Sequence, residues 1–192
     1  MNGLAADLGS SLNAALLLAV GRREGLWLFA AGGQDAARMA ARSFFAAVLS
    51  LPAFICLHLI DWMTSGLPPH PAQDFTLDLA GYVLYWAGYA VFSHALARAI
   101  GRAAHWPRYI TAWNWCNAVQ YMMVTAAALP LLIGLPGLIA QAVGLVAVGW
   151  AFWLEWFATR LALDIGPVSA AVVTAIDVFA GMFLFGLLAS LS

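Results

Sequence analysis

Lysine is absent from the 192-residue chain, and charged residues of every kind make up only 9% of it. Soluble domains carry about 25% charged residues, so this scarcity excludes an ordinary water-soluble globule. The formal net charge of -1 leaves no basic face of the kind a nucleic-acid binder needs. Cysteine is scarce as well. Cys56 and Cys116 fall inside apolar segments without metal-ligand spacing, so both are expected as buried free thiols. No Gly-x-Ser-x-Gly, His-Glu-x-x-His or P-loop pattern occurs. The expectation is therefore a non-enzyme with no catalytic residue, no metal and no cofactor. No basic residue precedes Arg22, so a cleavable signal is not expected either.

What is abundant is apolar: hydrophobic residues supply 64% of the chain. They divide it into an N-terminal segment, residues 1–34, and a membrane domain, residues 35–192. Leu4, Leu8, Leu12 and Leu16 recur every four residues, which predicts an amphipathic helix too short to span. Such a helix either lies on the membrane surface or packs on the spans from below. The Gly32-Gly33 pair breaks the chain, and Asp35 is placed to cap the helix that enters span one.

Five spans follow, at about 43–60, 79–97, 109–129, 138–160 and 168–191. Residues 61–78, rich in proline and free of Lys and Arg, read as an irregular external loop. His58 reads as a satisfied interfacial histidine. Tyr82, Tyr85, Trp86 and Tyr89 suit the membrane–water boundary, and Trp106, Trp113, Trp115, Trp153 and Trp156 suit an aromatic belt at the cytoplasmic boundary. Pro167 fits the first turn of the last span.

The arginines set the orientation. Arg22, Arg23, Arg38 and Arg42 precede span one, Arg98, Arg102 and Arg108 join spans two and three, and Arg160 joins spans four and five. All fall on one side of a five-span layout, which the positive-inside rule makes cytoplasmic. The expected fold is an all-α integral membrane bundle of five transmembrane helices with an N-terminal amphipathic interfacial helix. Its expected location is a bacterial inner membrane, N-terminus cytoplasmic and C-terminus periplasmic.

The stretch Val143 to Asp177 is expected to organise the rest, because two acids interrupt its apolar helices. A carboxylate in hydrocarbon is costly, so Glu155 and Asp177 are functional-site candidates by default. Asp177 lies ten residues past Pro167, roughly 15 Å in, and Glu155 lies five before Arg160, roughly 7 Å in. Small residues on the same stripes, Ala140, Ala147 and Ala158 around Glu155, Ala170 and Gly181 around Asp177, turn both acids toward protein. His94, Asn114, Asn117 and Arg160 complete a candidate intramembrane polar cluster, with Arg160 or Arg98 available to pair with Glu155. One reading is interhelical hydrogen bonding, worth about 0.6 kcal/mol per pair on average. The other is a proton or cation site built on Glu155 and Asp177.

The layout, together with Trp153-Leu154-Glu155-Trp156-Phe157-Ala158-Thr159-Arg160 followed by Gly166-Pro167-Val168-Ser169, resembles the Yip1-like family of five-span membrane proteins. The Asp-Leu-Tyr-Gly-Pro-like motif of eukaryotic members is absent. The resemblance implies a membrane-organising scaffold. The expected function is a scaffold or assembly partner acting through helix and lipid contacts, with the bilayer, further copies or other membrane proteins as partners. The alternative is a small transporter or transporter subunit.

Overall fold

Hydrocarbon offers no partner to a backbone N–H or C=O, so a membrane chain must satisfy these groups internally. The computed structural model describes residues 2–30 and 36–190, and these fold into helices, with no strand among the described residues. The helices are α1 (Asn2–Ala19), α2 (Glu24–Ala30), α3 (Ala36–Ser43), α4 (Phe45–Ser65), α5 (Pro71–Ala99), α6 (Trp106–Leu132), α7 (Gly137–Leu163) and α8 (Pro167–Ala189). A 3-10 turn, Ala103–His105, leads into α6. The protein is an all-α membrane bundle. Asp35 and the Gly32-Gly33 break lie outside the described residues.

Four segments are long and apolar enough to cross a bilayer: α3 joined to α4, the 3-10 turn joined to α6, α7 and α8. They coincide with the predicted spans one, three, four and five. Helix α5 covers the predicted span two, but its tyrosines, Trp86 and His94 dilute its apolar run, and it is not one of the four.

The bundle is built around α6 instead of the Val143–Asp177 stretch. Helices α1 to α5 and α7 all pack on α6, whereas α8 packs mainly on α5 and α7 and meets α6 through Trp113 and Asp177. From Tyr109 to Val119 only Asn117 escapes full burial. Sequence alone gives little sign of this, because the first half of α6 is its more polar half. That half is surrounded on all sides by protein, which is the only place hydrocarbon tolerates Asn and Thr cheaply. Antiparallel α7 lies along α6, and its small residues Ala140, Ala147 and Ala158 are buried as their spacing predicts.

Helix α1 packs on the spans. Ala14, Ala15 and Leu18 are fully buried, Leu8 and Leu12 are partly buried against the core, and Leu16 is exposed. The indole N–H of Trp150 donates to the Ala19 carbonyl at 3.1 Å. Trp150 is ten residues before Arg160, so the end of α1 reaches roughly 15 Å down α7 from that arginine. The chain turns there at Gly21, whose φ of 80° suits glycine, and returns as α2. A Cβ on Gly25 would sit 2.3 Å from the Ala14 carbonyl oxygen, so only glycine lets the two helices lie this close.

Three expectations are corrected. Most of residues 61–78 is helical: α4 runs to Ser65 and α5 begins with Pro71 in its first turn, with Asp74 on the same turn. Cys56 is exposed on the outer face of α4, and only Cys116 is buried. Tyr82, Trp86, Tyr89, Trp113 and Trp115 are buried within the bundle and form no belt. Tyr82 donates to the Ala47 carbonyl, a partner that the membrane boundary is not needed to supply.

Candidate functional site

Asp177 sits midway along α8, on the stripe that also carries Ala170 and Thr174, and is 1% exposed. Two aromatic donors from two other helices hold its carboxylate. The Tyr85 hydroxyl of α5 donates to Oδ1. The Trp113 indole N–H of α6 donates to Oδ2 at 2.6 Å. Asp177 thus ties three helices at one point.

The clasp rests on an aromatic layer. Trp113 stacks on Tyr89 with ring centroids 4.4 Å apart, and its edge meets Trp86. The Tyr89 and Tyr109 hydroxyls share a 2.5 Å hydrogen bond beneath it. Tyr82, Tyr85, Trp86 and Tyr89 stand at three- and four-residue steps, so they share one face of α5. That spacing was the available signal that these rings belong to a packed seam.

Glu155 of α7 lies against Asp177. Its Oε1 is buried and has no hydrogen-bond partner among the described residues. Thr174 Oγ1, one turn from Asp177 on α8, is also buried without a partner. The α7–α8 seam therefore holds two adjacent carboxyl groups, one fully engaged and one with an oxygen to spare. Chemically it can accept further hydrogen bonds or a small cation. Among the described residues, no three His, Cys, Asp or Glu side chains cluster as metal ligands.

The other predicted members go elsewhere. Asn114 is fully buried but donates to Ser43 Oγ at 2.6 Å, and so joins α6 to α3. Asn117 donates to the Trp113 carbonyl within its own helix. His94 is exposed, its ring edge-on to Trp106. Arg160 lies over the Trp156 ring at 5.8 Å, the cation–π arrangement, instead of pairing with Glu155. Of the six predicted residues only Glu155 and Asp177 meet. The residues that sequence reasoning missed are Tyr85 and Trp113.

Polar cross-links recur through the bundle. Gln120 donates to the Ala151 carbonyl, and Arg108 donates to the Ala162 carbonyl near the end of α7, where a cation also suits the helix dipole. His58 is satisfied on both nitrogens, by the Phe54 carbonyl and by Asp78 at 2.9 Å, as expected. Neither acid of the α7–α8 seam lines the clefts beside His58, along the α5–α8 seam or in the outer groove between Trp156 and Ala171. No family model, curated protein or solved structure matches this chain.

Proposed function

We propose that this polytopic membrane protein is a five-span bacterial inner-membrane scaffold or assembly partner, N-terminus cytoplasmic and C-terminus periplasmic. It acts through helix and lipid contacts without catalysis, as the Yip1-like layout implies. One observation carries the reading: Asp177 is 1% exposed, and both of its oxygens are taken up in joining α5 and α6 to α8. A carboxylate used this way holds helices together.

The fifth crossing in this reading is α5. Its support is the distribution of side chains: the polar-edged rings turn inward, while Val83, Leu84, Val91 and Phe92 are exposed. An outward apolar face is what lipid requires. Five crossings put all arginines on one side, which the positive-inside rule assigns to the cytoplasm. Broad outer faces then remain for lipid or partner helices, with Leu138, Leu145 and Val146 exposed on α7 and Phe179, Met182 and Phe183 on α8.

A proton- or cation-coupled transporter is the second reading, favoured by the unpartnered Glu155 Oε1 beside Asp177. One experiment separates the two. Glu155→Gln and Asp177→Asn are reconstituted in liposomes and assayed for proton and sodium flux, and for co-purifying membrane partners in cells. The scaffold reading expects no flux from the wild type and unchanged partners in both variants. Flux that vanishes in either variant overturns it.

A further inference from the structure

Helices α5 and α8 meet at one end of their seam and part at the other. Far from the arginines, a Cβ on Gly81 would lie 2.6 Å from Leu188 Cδ1, and one on Gly181 would lie 3.3 Å from Tyr85 Cε2, so the helices touch there. Toward the arginine end they separate around a cleft of about 450 Å³. Ligand pockets typically measure about 300–1,000 Å³. Leu96 of α5 and Ile100, its C-cap, face Val168, Val172, Val173 and Ile176 of α8 across it.

Polarity changes sharply at the mouth. Arg102 stands there, just past the end of α5. Among the described residues its ion partner is Asp164, 3.8 Å away and 75% exposed. A long, solvated pair of this kind holds a guanidinium weakly. Gly166 and Ser169, at the start of α8, share the mouth, and the Gly166 N-cap contributes no side chain to the first amides. Those amides add partial positive charge beside Arg102.

Depth identifies the occupant. From Pro167 at the mouth to Ile176 at the base is nine residues, roughly 14 Å of helix. One leaflet of a hydrocarbon core about 30 Å thick is about 15 Å deep. The cleft therefore offers a cation at headgroup level and apolar walls for the depth of a single leaflet. We infer that it binds an anionic phospholipid, with one acyl chain between α5 and α8 and the phosphate on Arg102. The inference requires only that the bundle sits in a bilayer, and it stands whether the protein is a scaffold or a transporter.

The test uses the full chain purified in neutral detergent. Phosphatidylglycerol, phosphatidylcholine with the same chains, and soluble glycerophosphate are compared by native mass spectrometry and by thermal unfolding. The wild type is expected to retain phosphatidylglycerol in preference to phosphatidylcholine and to ignore glycerophosphate. Arg102→Gln should weaken the phosphatidylglycerol preference about fivefold, the effect of one basic residue near an anionic surface. Val172→Trp should fill the cleft and release both lipids. Both side chains are at least partly exposed, so the variants should keep their helical content and gel-filtration position. Three results would each overturn the inference. They are equal retention of the two lipids by the wild type, an unchanged preference in both variants, and stabilisation by glycerophosphate equal to that by the lipid, which marks a small-anion site.

Discussion

Alanine at position 177 would leave two buried donors, the Tyr85 hydroxyl and the Trp113 indole N–H, without their acceptor. An orphaned buried donor costs about 1–3 kcal/mol, so the pair costs about 2–6 kcal/mol when nothing replaces the carboxylate. Inside a bilayer the figure falls, because a chain unfolded in the membrane finds other partners, and measured interhelical bonds average about 0.6 kcal/mol. Burial decides between these limits. Trp113 is 2% exposed and the Tyr89 ring stacked on it 3%, so neither a headgroup nor water reaches the freed indole. The expected cost of Asp177→Ala is therefore about 2 kcal/mol, the low end of the range for two orphaned donors. That is about a thirtyfold change in the unfolding equilibrium. Asp177→Asn is the control: its carbonyl still accepts from Trp113 and its amide donates to the Tyr85 oxygen, so only the Tyr85 hydroxyl proton loses its acceptor, and the cost should fall below that of alanine. Reversible unfolding in mixed micelles, followed by tryptophan fluorescence, measures both. Alanine as stable as wild type would remove Asp177 from any role in clasping the helices. Asparagine as damaging as alanine would mean that the charge itself is needed, which the transport reading requires and the scaffold reading does not.

Gly25→Ala should pry α2 from α1, because the new Cβ would meet the Ala14 carbonyl oxygen at 2.3 Å; overpacking of this kind costs about 1–3 kcal/mol. Limited proteolysis should cut the first 30 residues faster while the spans stay intact, whereas Gly9→Ala, with open space around it, should change nothing. Equal protection in both variants would refute the tight hairpin. For the topology, single cysteines at positions 68 and 101 in a Cys56→Ser, Cys116→Ala background should label from opposite faces of sealed vesicles. Labelling from one face would remove α5 as a crossing and with it the five-span layout.

Much of this molecule was legible from residue order. The bilayer acts on each segment separately, so apolar length located α4, α6, α7 and α8, and Pro167 marked the start of α8. Small-residue spacing placed Glu155 and Asp177 on protein-facing stripes, because close helix approach depends on local side-chain size. The sequence also left both fates of α1 open, and its leucine spacing could not choose between lipid and protein as the surface it covers. The tertiary structure alone decided what those acids touch. Asn114 and Asp177 both belong to the polar cluster expected from the sequence, yet the rotation of α6 sends Asn114 to Ser43 on α3 and turns Trp113 to Asp177. Likewise the tyrosines of α5 have rings suited to a membrane boundary, and only the packing of α5 against α4, α6 and α8 buries them. Rotation about a helix axis is fixed by all neighbours at once, and α6 has neighbours on every side. A linear pattern carries depth and face. Which partner waits at that face is set by how the helices are arranged around one another.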